Sequence, residues 1–218
     1  MDKNTIIFLE NLKKNNNRDW FLENKSTYEN AKNDFIELVA TVIKELSKSD
    51  KSIAGIEPKS CVFRINRDVR FAKDKSPYKT NFGASINKNG KKSFSAGYYI
   101  QIEPSNSFIG GGIYMPPADV LNKIRQEIDY NGIDFKKIIL NKNFTQTYGA
   151  LEDFDKLVNP PKGYHKTNDN IELLKLKSYI ATKTLSKKEI LDPNAGKAIA
   201  KDLTVLIPLF TFLNTALD

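Results

Sequence analysis

The spacing of apolar residues along the N-terminal part of the chain predicts helices. Apolar positions recur at three- and four-residue steps from residue 4 to 14 and again from 19 to 46, which is the period of an amphipathic helix. Asn4 is predicted to cap the first helix, and the segment NNNRDWF marks a break before the second. Residues from about 4 to 50 therefore form a helical part.

Beyond residue 60 the apolar period shortens to two, as expected for half-buried strands. Strands are predicted at 61 to 71, 80 to 87, 93 to 103 and 107 to 115. Asn89-Gly90 is typical of a two-residue hairpin turn, so the sheet is predicted to be mainly antiparallel. In the last of these strands, Gly110 to Gly112 allow a bulge or the close approach of another group.

The remaining residues, from about 117 to 218, predict a mixed part with more helices and one further strand. Pro116-Pro117 precedes a helix to residue 128, and other elements are predicted at 135 to 140, 171 to 177 and 178 to 185, before terminal helices. With the sheet part at about 60 to 115, residues 1 to 218 are predicted to be a single α+β domain, a mainly antiparallel sheet flanked by helices.

Composition narrows the class of protein. The chain has 218 residues, of which 40% are hydrophobic and 28% charged, which is ordinary for a folded domain. Its charged first residues do not resemble a signal peptide, and its longest apolar run is too short to span a membrane. One cysteine and one histidine offer little for a disulfide or a zinc site. We expect a cytoplasmic location, no membrane association, no metal and no cofactor.

Positive charge is concentrated in one segment. The net charge is +8, and much of it comes from scattered lysines that require no function. Residues 64 to 79, however, hold six Arg or Lys side chains against two acids, Asp68 and Asp74, a net +4. Arg67 lies among the apolar positions of the predicted strand at 61 to 71. Either the strand bulges there, or Arg67 is buried against an acid.

The blocks around this segment resemble a known family. CVFRINRDVRFAKDKSPYKTNFGASI, with NRDWF upstream and YYIQIEP, GGGIYMPP and PPKGY...LLKLKSY downstream, is similar to the bacterial and fungal family named domain of unknown function 2461. The similarity extends over nearly the whole chain and supports the single-domain prediction, but it implies no particular reaction. It directs attention to Arg67, Asp68, Arg70, Phe71, Lys75, Pro77, Tyr78 and Lys79.

The basic segment predicts an anion-binding pocket. Arginine forks contact carboxylate or phosphate oxygens at two points, lysines add point charges, and a tyrosine hydroxyl donates a further hydrogen bond. The predicted ligand-binding residues are Arg64, Arg67, Asp68, Arg70, Lys75, Tyr78, Lys79 and Gly111. Asp68 is expected to hold one guanidinium group in place. The predicted function is binding, with turnover left open, of a small phosphorylated or carboxylated ligand.

Other interpretations of the segment remain open. Its charges also suit a structural ion-pair network, and the chain also suits a scaffold whose partner is another protein. Nucleic-acid binding would place lysines on phosphates and stack Tyr98 or Tyr99 on bases, although RNA-recognition and zinc-finger patterns are lacking. His165, the one imidazole, is expected to be a solvated loop residue. Catalytic residues and the oligomeric state are not assigned.

Overall fold

The N-terminal helices form a layer that packs on the rest of the chain. The computed structural model describes residues 1–91 and 93–217. The early helices are α1 (Lys3–Lys14), α2 (Arg18–Glu23), α3 (Lys25–Leu46) and α4 (Pro58–Cys61), with a 3₁₀ turn at Lys51–Ile53. Asp2, not the predicted Asn4, caps α1, because the Asp2 side chain accepts a hydrogen bond from the Asn4 amide. The predicted helix at 19 to 46 is interrupted at Asn24, whose side chain donates to the Trp20 carbonyl.

Four antiparallel strands form the sheet in the order in which they occur in the chain. They are β1 (Phe82–Ile86), β2 (Gly97–Ile102), β3 (Phe108–Ile113) and β4 (Tyr179–Thr184). Each lies within a predicted strand, so the predicted α+β fold with an antiparallel sheet is confirmed. Phe82 pairs with Ile102 and Gly97 with Gly112, and this register aligns the side chains of each face across the sheet.

The C-terminal helices cover one face of the sheet. The later helices are α5 (Ala118–Tyr130), α6 (Gly132–Ile139), α7 (Lys142–Tyr148), α8 (Ile171–Leu174), α9 (Lys187–Leu191), α10 (Ala195–Thr204) and α11 (Ile207–Thr215). Helices α10 and α11 pack on β3, and α3 packs on β1 and on α10. Buried apolar residues from all these elements form one continuous core. Over the described ranges, no single helix is long and apolar enough to span a membrane, and only the bent pair α10 and α11 meets both requirements when its two helices are taken together.

The predicted strand at 61 to 71 is wrong. After α4 this segment makes only isolated bridges, from Val62 to Ala84 and from Asn66 to Tyr78. The chain instead folds back on itself, since the Lys79 amide donates to the Ile65 carbonyl and the Arg67 amide to the Pro77 carbonyl. Alternation of apolar residues was therefore misleading here, because no continuous partner strand satisfies the backbone of this segment.

The predicted two-residue hairpin at Asn89-Gly90 is also wrong. Residues 87 to 96 connect β1 and β2, and the Gly90 amide donates to the Asn87 carbonyl, so Gly90 is the last residue of a turn. The Asn87 side chain donates to the Ser95 carbonyl across the connection. Asn-Gly therefore gives a turn here, with a positive φ of 83° at Gly90, but the strands separate before reaching it.

The glycines of β3 allow close contact with β4. A Cβ atom at Gly110 or Gly112 would overlap backbone atoms of β4, and Gly112 has a φ of 132°, which favours glycine. At Gly111 a Cβ atom would lie 2.5 Å from the Phe210 ring, on the helix-covered face. The predicted close approach at these glycines is confirmed, and it is made by the protein's own strand and helix.

Candidate functional site

The face of the sheet turned away from α10 and α11 forms the floor of a groove. Along β2, Tyr98, Ile100 and Ile102 are buried in the core, while Tyr99 and Gln101 alternate with them on the other face. The register places Phe108 and Thr182 on that same face. The resulting cavity, which we call the open groove, has a volume of about 1080 Å³. It is large enough for a small organic ligand.

Aromatic rings line the open groove on several sides. The Phe63 and Tyr99 ring centroids are 6.4 Å apart, and those of Tyr99 and Phe108 are 5.6 Å apart. On the far wall, Tyr114 and Phe154 lie 6.3 Å apart and are each more than half exposed. Because ring faces contact planar apolar groups well, these walls suit a ligand with a flat apolar part.

Two lysines meet above the Phe63 ring at one side of the groove. The Nζ atoms of Lys79 and Lys91 each lie 5.4 Å from the ring centroid. Lys91 Nζ also donates to the Val62 carbonyl at 2.8 Å. Within residues 1–91 and 93–217, neither lysine has a carboxylate within ion-pair distance. We call these two side chains the lysine rim.

The lysine rim concentrates positive charge that no carboxylate in the described residues pairs with. Burial lowers the pKa of Lys79 below its ordinary value, and the nearby charges of Arg64 and Lys91 lower this pKa further. All three causes penalise the ammonium form. A bound anion would act in the opposite direction, so the local electrostatics favour an anion at this point.

One carboxylate, that of Glu152, lines the opposite side of the groove, and a second lies close to it in the chain. The Glu152 amide donates to the Ile180 carbonyl, so this residue runs beside β4, and its carboxylate accepts a hydrogen bond from the Thr182 hydroxyl. Asp155 follows in the same segment. Its Oδ2 accepts from Ser178, while its buried Oδ1 has no partner in the described part of the chain. Negative charge therefore accumulates beside β4.

The structure separates the predicted arginine cluster from the groove lining. Arg67 Nη1 lies 2.5 Å from Asp74 and also donates to the Ser76 carbonyl. Arg70 makes a two-point contact with Asp68, as predicted for one guanidinium group. Lys75 Nζ donates to the backbone carbonyl of Val69. Residues 67 to 76 thus provide ion-pair or hydrogen-bond partners for most of their own cationic side chains. We call these residues the stapled loop.

Arg67 is paired as predicted but less buried than predicted. Its side chain is 27% exposed and that of its partner Asp74 is 64% exposed. The buried arginine of this protein is Arg125 in α5, whose guanidinium donates to the Leu174 and Leu176 carbonyls. The break in the apolar pattern at Arg67 therefore marks a partly exposed ion pair that closes a loop. The structure has this ion pair in place of the predicted bulge or buried ion pair.

The other predicted site residues lie in three different environments. Tyr78 is buried and stacks on Phe21 with ring centroids 4.0 Å apart, and its backbone is held by the Asn16 side chain. The Tyr98 side chain lies in the core, and the side-chain position of Gly111 faces the core as well. Gly111 therefore borders the groove only with its backbone. Lys79 lies on the rim, with exposed Arg64 close enough to lower the Lys79 pKa.

Sequence reasoning missed the rest of the lining. Three further lining residues, Phe63, Lys91 and Glu152, are not among the residues that the sequence predicts for the site. The fold-back between residues 62 and 80 brings Lys79 to the Phe63 ring, and Lys91 reaches the same ring from the connection between β1 and β2. His165 is exposed, and its Nδ1 atom shares a hydrogen bond with the Thr167 hydroxyl. No cluster of three or more His, Cys, Asp or Glu is arranged for a metal ion among the residues described.

Comparison with known proteins places the chain in a family. A family model described as conserved hypothetical protein (DUF2461) matches residues 4–212. The chain belongs to this family. The match includes the helical layers, the sheet, the stapled loop and the lysine rim, so the open groove lies within the family domain. No curated protein and no solved structure matches the chain. The family description states no activity, and the function therefore has to be argued from the groove.

Proposed function

We propose that the chain binds a small ligand with a phosphate or carboxylate group and a planar apolar part in the open groove. Lys79 and Lys91 would contact the anion, and Phe63 would pack beside it. Tyr99 and Phe108 on the floor would contact the planar part. This assignment keeps the predicted ligand class but moves its binding residues from the stapled loop to the lysine rim. It concerns binding alone.

The observation that carries the proposal is the pairing state of the basic residues. Arg67 and Arg70 have carboxylate partners within the stapled loop, whereas Lys79 and Lys91 converge without one in the described chain. Like charges held close together destabilise a fold unless something offsets them. A bound oxyanion would offset them, and charge-assisted hydrogen bonds to a partly enclosed anion are among the stronger polar contacts.

A thermal-shift comparison of anionic and neutral probes tests the proposal. Phenyl phosphate and benzoate should raise the melting temperature, while phenol and benzyl alcohol should not. A ligand at ten times its dissociation constant adds about 1.4 kcal/mol, which corresponds to roughly 3–5 °C for a chain of this size. Equal shifts with the neutral probes, or no shift with the anions, would refute it.

The Lys91→Gln variant tests the lysine rim directly, because Lys91 is the rim residue that lies outside the basic segment at residues 64 to 79. This variant should lose most of the phenyl phosphate shift. The control is Lys73→Gln, which removes the same charge from an exposed lysine of the stapled loop and should keep the full shift. If the two variants respond alike, the anion is attracted by overall charge and the lysine rim is not the site.

One observation favours a second candidate, the binding of single-stranded nucleic acid. Tyr99 and Phe108 lie on adjacent strands of an antiparallel sheet and face the open groove, an arrangement on which bases stack. Fluorescence anisotropy with a labelled oligonucleotide distinguishes this function. Micromolar or tighter binding that persists at physiological salt, and that Tyr99→Ala removes, would support it. Binding seen only at low salt would reflect the net charge.

A further inference from the structure

The two sides of the open groove carry opposite charge, and the charges on both sides lack an ion-pair partner in the described residues. Lys79 and Lys91 lie beside β1, at the Phe63 ring, and Glu152 lies over β4, held by Thr182. In the described residues, Glu152 forms no ion pair. Each side of the groove therefore offers a charge that a ligand can neutralise.

Other charged groups near the floor are already occupied. Glu103 accepts hydrogen bonds from the Thr80 hydroxyl and from the Gln101 side chain. Lys183 on β4 lies on the opposite, helix-covered face and pairs with Asp202. Asp155, close to Glu152 in the chain, also forms no ion pair in the described residues, but it lies outside the groove lining. The polarity of the groove is thus set by the lysine rim and by Glu152.

We propose that the ligand of the open groove is bipolar, with a phosphate or carboxylate at one end and an amine at the other, separated by a planar apolar part. The inference rests on the proposed function and specifies its ligand class. The amine would contact the free oxygen of Glu152, while the aromatic floor around Tyr99 would contact the middle of the ligand. On β3, Phe108 contributes a ring to that floor, while Gly110 and Gly112 leave the rest of the strand without side chains.

The width of the sheet sets the length of such a ligand. Neighbouring strands lie about 4.8 Å apart, so β1 and β4 are about 14 Å apart across the sheet. Ion-pair contacts take up about 3 Å at each end. The two charged groups of the ligand are therefore expected to be on the order of 8 Å apart. This is the span of a single benzene ring that carries a charged substituent at each of two opposite positions.

Three aryl phosphates test this inference by isothermal titration calorimetry. 4-(Aminomethyl)phenyl phosphate carries both charges, 4-ethylphenyl phosphate has the same shape without the amine, and phenyl phosphate lacks the substituent. The wild-type protein should bind the amine about tenfold more tightly than the ethyl compound, the value of one charge-assisted contact. Glu152→Gln should remove this preference and leave the affinity for 4-ethylphenyl phosphate within about twofold.

Two further variants show whether a lost preference comes from Glu152 itself or from a general disturbance of the fold. Thr182→Val removes the hydroxyl that orients Glu152 and should reduce the preference in part. Glu172→Gln, which removes a carboxylate paired with Lys156 and Lys175, should leave it unchanged. Equal affinities for the amine and ethyl compounds in the wild type would overturn the bipolar ligand and leave anion binding in place. Failure of all three compounds to bind would overturn both proposals.

Discussion

The stapled loop and the lysine rim are both strongly basic, yet the protein treats their charges differently. In the stapled loop, Arg67 and Arg70 each have a carboxylate partner only a few residues away. In the lysine rim, Lys79 and Lys91 come from separate segments and meet at one ring without such a partner in the described chain. The difference shows that charge density along a sequence does not by itself reveal which charges are paired in the fold. Our proposal places the anion at the two lysines of the rim for this reason.

The pKa shifts express the same contrast. Hydrogen bonds from Ser76, and then the Arg67 guanidinium, lower the pKa of Asp74 to about 2. The Arg70 guanidinium and its backbone amide lower the pKa of Asp68. These acids are stabilised in their charged form, whereas the ammonium form of Lys79 is destabilised. The loop is thus electrostatically satisfied, whereas the two lysines of the rim have no carboxylate partner in the described chain.

The largest expected effect concerns the anchor of the stapled loop. Tyr78 ends the fold-back that begins at Arg67 and is buried against Phe21. Tyr78→Ala should lower the free energy of unfolding by about 3–5 kcal/mol, because a large buried aromatic side chain is lost. Urea denaturation measures this value.

Tyr78→Phe separates anchoring from binding at the same position. It keeps the ring stacked on Phe21 and removes the hydroxyl, so phenyl phosphate should bind as it does to the wild type. A large loss of affinity in this variant would return Tyr78 to the ligand-binding set and would contradict the division between core and groove.

A smaller effect is expected at Arg67. Arg67→Gln should destabilise the fold by about 1 kcal/mol, since its ion pair with Asp74 is partly exposed and such pairs contribute little. This is less than the ~3 kcal/mol expected for a buried pair. Arg64→Gln is the control, because Arg64 is exposed and should change stability by no more than about 0.5 kcal/mol. A loss at Arg67 as large as that of a buried pair would show that the loop is packed more tightly than its exposure indicates.

The smallest effect is a pH dependence from the lysine rim. Because the pKa of Lys79 is lowered from 10.5, its charge is lost at a lower pH than that of an ordinary lysine. Phenyl phosphate remains a dianion above about pH 8, so the ratio of wild-type to Lys79→Gln affinity should begin to fall at a lower pH than the pH at which an ordinary lysine loses its charge. A ratio that falls only around the ordinary lysine pKa of 10.5 would contradict the shift. In the ligand-free protein the sign is opposite, since losing this proton relieves a destabilised charge and stability rises.

Local patterns predicted the strands of the sheet well but the basic segment poorly. The positions of β1 to β4 follow from alternating apolar residues such as Tyr98 and Ile100, which face the helices. Between 61 and 71 the same alternation has no partner strand, so Phe63 faces the groove and Phe71 is 95% exposed. Alternation identifies a strand only where neighbouring strands satisfy its backbone.

The candidate site was predictable only in part for a related reason. The basic segment predicts Lys79, and the prediction that Asp68 holds a guanidinium is confirmed by its contact with Arg70. Lys91 and Glu152 reach the groove through contacts of long sequence separation, with the Val62 carbonyl and with Thr182. Residues brought together only by the tertiary fold leave no signal in local spacing. The buried Arg125, which bonds carbonyls about 50 positions away, was missed for the same reason.

Two double variants with equal charge loss test the central claim most directly. Isothermal titration of phenyl phosphate should be carried out on the wild type, on Lys79→Gln/Lys91→Gln and on Arg67→Gln/Arg70→Gln. The account predicts that the lysine double variant loses about 100-fold in affinity, as expected for two charge-assisted hydrogen bonds, while the arginine double variant stays within about twofold of the wild type. Equal losses in both, or a larger loss in the arginine variant, would contradict the assignment of anion binding to the lysine rim.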